Sequence, residues 1–250
     1  METLNYCEFS LSSFLSTVNI HRLDVRTFMN MPSIPMLSFC RIAMGTSLLL
    51  ICGWNLSGCH LGTRDAVTRG KELFETCVPC HQADGSGNPV VGAPNIAGMN
   101  DWYVEEQLGK FRTGARGAHF SDLEGMRMRP MALSLPTEED VKVVAHYVGT
   151  MSPVRHAASL PGDSKAGGVL YARCKACHGD QGAGDPDVKA PRIAATDDWY
   201  LAAQLRKFRS GIRGANSKDL EGALMRPMAR TLSNEDAIRN VVAYIGTLKP

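Results

Sequence analysis

Two short runs carry the chemistry of this chain: Cys77-Val78-Pro79-Cys80-His81 and, 97 residues later, Cys174-Lys175-Ala176-Cys177-His178. A C-x-x-C-H run on a helical turn presents two thiols to the vinyl groups of a haem and projects the following histidine onto its iron. The same residue types suit half of a zinc site or a redox dithiol. A zinc centre would have to join cysteine pairs from two separately folding units, and a thioredoxin-like dithiol needs a βαβ setting that is absent here. The repeated pattern therefore points to two haem c groups, with Cys77, Cys80, Cys174 and Cys177 as covalent attachment points and His81 and His178 as proximal iron ligands.

The remaining iron ligand should recur at the same offset. The segment Met128-Arg129-Pro130-Met131-Ala132 returns unchanged as residues 225 to 229, placing a thioether 47 or 50 residues after each histidine. Methionine sulfur is a soft ligand suited to haem iron. Spacing leaves Met128 and Met131 open in one copy, and Met225 and Met228 in the other. Met126 is excluded as a common ligand because Ala223 stands at its counterpart, and His119, His146 and His156 have no matching histidine, which argues against bis-histidine ligation.

These residues must be positioned by a repeated scaffold. Residues 66 to 152 align with 163 to 249 without a gap, the mark of an internal duplication. Within each copy, periodicity predicts a helix over Arg69 to Cys77, in which Gly70 allows close packing. A Gly- and Pro-rich loop follows from Asp84 to Gly98, then a helix over Asp101 to Thr113 with Gly114 past its end. Asp101 and Asp198 are the expected N-caps of this helix and its repeat, and the indole N–H groups of Trp102 and Trp199 beside them could reach a haem propionate. A methionine loop comes next. Thr137 and Ser233 then open a last helix through an S/T-x-x-D box, with ends expected at Gly149 and Gly246. No stretch alternates as a half-buried strand would, so the fold class is all-α: two tandem helical domains, each around one covalent haem. Residues 59–151 and 166–250 are the domains, 152–165 the linker, and 1–58 a leader. Units of this size bury a modest core, to which a haem adds.

With 44% hydrophobic and 21% charged residues the composition is globular. A formal charge of +2, with no basic run interleaved with aromatics, argues against nucleic acid as a partner. The charge is unevenly divided: residues 59–152 hold 9 Lys and Arg against 12 Asp and Glu, a net −3, whereas residues 163–250 hold 14 against 10, a net +4. The apolar run Ile42 to Trp54 after Arg41 reads as a signal-peptide core, too short to span a bilayer comfortably. Residues 1 to 35 fit an n-region poorly, so translation from Met31 or Met36 is a further expectation. Leu56-Ser57-Gly58-Cys59 resembles a bacterial lipobox, which would make Cys59 a lipidation site and tether the chain to a membrane surface without spanning it. The expected compartment is the periplasm, with or without that anchor.

C-x-x-C-H near each copy's start, a proline-bearing loop and a methionine ahead of a C-terminal helix together resemble class I cytochrome c, and the duplicated form resembles the di-haem cytochrome c4 family. The likeness covers about residues 66 to 249 and is sharpened by the D-W-Y, Q-L-x-K-F-R and M-R-P-M-A blocks. It implies that the backbone carbonyls of Pro94 and Pro191 accept the N–H of the proximal histidines. It also favours Met128 and Met225 as axial ligands over Met131 and Met228. The implied function is single-electron transfer between redox proteins: a respiratory complex, a dehydrogenase or a terminal oxidase. The rivals are a di-haem peroxidase, which needs an open iron position and usually two unlike haems, and a cytochrome subunit of one dehydrogenase or oxidase complex.

Overall fold

The computed structural model describes residues 65–249. The leader, the apolar run 42–54, the alternative starts at Met31 and Met36, and Cys59 lie outside the described residues. Among the described residues ten α-helices follow one another: α1 (Ala66–Phe74), α2 (Val78–His81), α3 (Asp101–Thr113), α4 (Leu123–Leu133), α5 (Glu138–Thr150), α6 (Ser164–Tyr171), α7 (Lys175–His178), α8 (Asp198–Ser210), α9 (Leu220–Arg230) and α10 (Glu235–Ile245). No strand occurs among the described residues, and only the isolated bridges Asn88–Ala93 and Asp185–Ala190 close a turn in each copy. The protein is all-α and built twice.

Each half is framed by a crossing of its first and last helices. Gly70 of α1 lies against the backbone of Val143, and Gly167 of α6 against that of Asn240, so closely that a Cβ at either glycine would collide with a carbonyl. Around these crossings pack Phe74, Leu135, Val141, Val144 and Val148 in the first half. Tyr171, Ile238, Val241, Val242 and Ile245 do the same in the second. Caps fix where the helices begin: Asp65 accepts from Thr68 N, and Thr137 from Asp140 N at 3.0 Å.

Several boundaries differ from the sequence reading; α1 begins at Ala66 and not at Arg69, and α5 runs through the expected end at Gly149 to Thr150. The first helix stops at Phe74, and Cys77 starts a separate one-turn helix, because each haem-binding run folds as its own turn. The helix after the loop is capped at Asn100 and Asp197, one residue before the expected Asp101 and Asp198, whose carboxylates bind the following N–H at 2.7 Å. In the second half the last helix is capped by Asn234, which accepts from Ala237 N at 2.8 Å, and Ser233 lies outside it. The methionine segment is helical in both copies, with Pro130 and Pro227 inside α4 and α9. An internal proline usually breaks a helix, but here each helix is anchored by a buried N-cap aspartate, Asp122 or Asp219, bonded to Gly125 N or Gly222 N.

Candidate functional site

The two C-x-x-C-H runs form matching sites. His81 and His178 are buried, at 5% and 7% exposure, on the last residue of α2 and α7. Nδ1 of His81 donates to the carbonyl of Pro94 at 2.9 Å, and Nδ1 of His178 to that of Pro191 at 2.8 Å. A carbonyl only accepts, so each bond sets the Nδ1–H tautomer and leaves the Nε2 lone pair free for a metal. Burial lowers the pKa of both imidazoles, against the opposing pull of the proline carbonyl, and so favours the neutral ligand form. Cys77 and Cys174 are partly buried, and burial pushes both thiols above the usual range; Cys80 and Cys177 are exposed.

In the second half these groups open onto a cavity of about 340 Å³. Cys174, Cys177, His178 and Pro191 line it, as do Met225 and Met228, one turn apart on α9. Leu201, Leu205, Phe208, Val241 and Ile245 supply apolar lining, while the Arg213 side chain, whose buried Nε has no acceptor, supplies a cation. Thiols, a neutral imidazole, thioethers, an apolar slot and a guanidinium with one buried N–H left unpaired fit a haem with its carboxylates. In the first half Met128 is half-buried and Met131 is 38% exposed.

The cavity extends across to α3 of the other half, where Tyr103 and Gln107 line it. That boundary holds a reciprocal network the sequence reading passed over. Arg116 donates to Gln107, Gln204 and the Tyr200 hydroxyl at 2.9 to 3.1 Å, and Arg213 donates to Gln204, Gln107 and the Tyr103 hydroxyl at 2.8 to 3.3 Å. Flanking it, Lys110 pairs with Asp219 and Glu221 at 2.7 Å, and Lys207 with Asp122 and Glu124 at 2.5 and 2.6 Å. Burial favours the neutral amine of Lys110, but the carboxylates of Asp219, Glu106 and Glu221 outweigh it and hold the pKa above the usual lysine value. The signal was present: Tyr103, Gln107, Lys110, Arg116, Asp122 and Glu124 each return at the offset of 97, whereas Ala203 stands at the counterpart of Glu106. Trp102 and Trp199 stand next to Tyr103 and Tyr200, each packed edge-on against its neighbour, and Lys189 lies 5.3 Å over the Trp102 ring. The tyrosines, not the tryptophans, line the second-half cavity. Of the other histidines, His156 pairs with Asp197 at 2.7 Å and His119 stacks on Phe120.

Comparison with known proteins gives the same division. The cytochrome c family matches residues 67–152 and again 164–249. The thiosulfate dehydrogenase electron acceptor of Stutzerimonas stutzeri is 32% identical over 69% of this chain and 78% of its own length. Cytochrome c4 of Azotobacter vinelandii is 29% identical over 80% and 95%. The crystal structure of reduced cytochrome c4 from Pseudomonas stutzeri superposes with a TM-score of 0.59 at 24% identity, covering 73% of this chain and 98% of that one.

Proposed function

Because the chain belongs to the cytochrome c family, in two tandem copies that carry two covalently bound haem c groups, we propose that it is a periplasmic di-haem carrier without substrate chemistry of its own, accepting single electrons from a thiosulfate-oxidising dehydrogenase. That it is an electron-carrying cytochrome linked to respiratory complexes follows from its family and relatives; the donor rests on likeness to a thiosulfate dehydrogenase electron acceptor. In this reading Cys77, Cys80, Cys174 and Cys177 hold the porphyrins, His81 and His178 are proximal ligands oriented by Pro94 and Pro191, and Met128 and Met225 close the sixth position. Cys59 carries an N-terminal lipid that tethers the mature chain. The bound haems would supply a reversible one-electron change, with the residues that hold the iron tuning its potential.

The observation that carries this reading is the twice-made bond from a buried histidine Nδ1 to a proline carbonyl, with two methionines lining the same cavity as the histidine in the second half. An optical and redox titration of purified holoprotein, with a peroxide assay and reduction by a thiosulfate dehydrogenase, tests it. Two low-spin haems, no peroxide turnover and rapid reduction are expected. One high-spin haem with turnover would overturn the carrier reading, slow reduction only the choice of donor.

A further inference from the structure

The position after each proximal proline breaks the repeat: it is Asn95 in the first half and Arg192 in the second. The backbone there is used alike. Asn95 N donates across the boundary to the Asp197 carboxylate at 2.8 Å, and Arg192 N donates to the Asn100 side chain at 3.1 Å. The side chains part company. Asn95 turns its amide to the Val154 carbonyl at 2.6 Å and accepts from Ala97 N, so it is satisfied by backbone. The Arg192 guanidinium lines the second-half cavity, gives one bond to the Ala97 carbonyl at 3.3 Å, and has a buried Nε with no acceptor.

Charge sharpens the anomaly. Lys110, Lys207, Arg112 and Arg209 each have a carboxylate within 3.1 Å. Arg192 has none among the described residues, and the charge bearing on it is another guanidinium, Arg155, which with burial lowers its pKa below the usual arginine value. Arg155 in turn spends its donors on the Gly246 and Leu248 carbonyls. A partly buried cation beside a like charge calls for an anion, and the cavity it lines, on the reading above, takes a group with two carboxylates.

We propose that Arg192 binds a propionate of the second haem, a cationic contact that Asn95 cannot supply to the first, and that it thereby raises the second haem's reduction potential relative to the first. A neutralised propionate no longer favours the ferric charge, and a guanidinium fork suits a carboxylate. This rests on the di-haem reading, and the test keeps the two apart.

The experiment compares wild type with Arg192→Asn, which copies the first half, and Arg192→Lys, which keeps the charge. Each holoprotein is titrated spectroelectrochemically with the two haems resolved by paramagnetic NMR, and its thermal unfolding is recorded. In Arg192→Asn the reduction equilibrium between the haems should move about tenfold toward the first, near 59 mV for a one-electron couple. Arg192→Lys should recover most of that shift, and both methionine charge-transfer bands should persist in both variants. An unchanged separation with both bands present, or equal shifts of both haems, would overturn the role of Arg192 even if unfolding moved. Wild-type protein that binds no haem would overturn the di-haem reading instead.

Discussion

The two halves share the histidine–proline pair and the helix that carries the methionines, and differ in what surrounds them. The histidine–proline bonds agree within 0.1 Å, and α4 and α9 span matching residues. Lys110 and Lys207 reach across to the same pair of acids on the opposite copy. On the outer face the correspondence lapses. Phe120, Met126 and Leu133 stand 79%, 46% and 53% exposed in the first half, where the second has Ser217, Ala223 and Arg230. One template is therefore built twice, and the copies are told apart by substitutions outside the histidine, proline and methionine positions they share.

The hardest test of equivalence is the sixth ligand. Met128→Ala and Met225→Ala should each remove one haem's methionine-to-ferric-iron charge-transfer band and lower that haem's potential, the largest effect expected of any substitution here. Met131→Leu and Met228→Leu should leave both bands in place, since a flexible thioether also serves as mere wall filling. Met225 and Met228 both reach the cavity, so loss of the band in Met228→Leu would move the assignment by one helical turn in that half. A different answer in the first half would break the equivalence at its centre.

The same segment shows where reading from sequence succeeds. The haem-binding runs, the period of 97 and the bounds of α3 are local patterns, and α3 spans Asp101 to Thr113 as periodicity predicts. The helicity of M-R-P-M-A was hidden because Pro130 signals a break, while what sustains the helix is Asp122, held by Lys207 of the other half. The caps at Asn100 and Asp197 were masked in the same way: neither caps through its own side chain, Asp197 being taken by Asn95 N and His156. Gln107 and Arg116 are polar and yet buried, because the surface they occupy meets the other copy. Residues whose partners lie about a hundred positions away carry no local signature.

The cross-paired lysines offer a graded test of the boundary. Lys110→Met leaves Asp219, 1% exposed, without its ammonium, and should cost about 3–5 kcal/mol of stability. Lys207→Met strands Asp122, 4% exposed, in the same way and should cost about 3 kcal/mol, at the lower end of that range because Glu124 at 48% exposure rehydrates more readily than Glu221 at 35%. Chemical denaturation of the holoproteins checks the order. The acid limb gives an independent reading. Burial raises Asp122, but the Lys207 bond and charge outweigh it and hold its pKa down, and the Lys110 bond lowers Glu221. Folded pKa values below the unfolded ones mean stability that is whole above about pH 4 and is lost as pH falls through the depressed values. In Lys207→Met the part of that limb due to Asp122 should flatten; an unaltered acid profile would show that the cross-pairs contribute nothing net.

The smallest expected effect concerns the outer faces. A net −3 in the first half against +4 in the second gives the molecule a charge dipole, which acts on encounter rates more than on affinity. If each half meets its own partner, association with a basic partner should depend on the first half and with an acidic partner on the second. Lys218→Glu, at an exposed second-half position, should then slow reaction with the acidic partner several-fold at low salt and leave the other partner untouched. The difference should vanish near 0.1 M salt and above, where screening acts over about 10 Å. Phe120→Ser, which copies Ser217, should slow only the partner that meets the first half and should do so at every salt concentration, because apolar contact is not screened. Equal slowing of both partners by either variant would mean that a single face serves donor and acceptor alike, and the outer divergence of the halves would then need another cause.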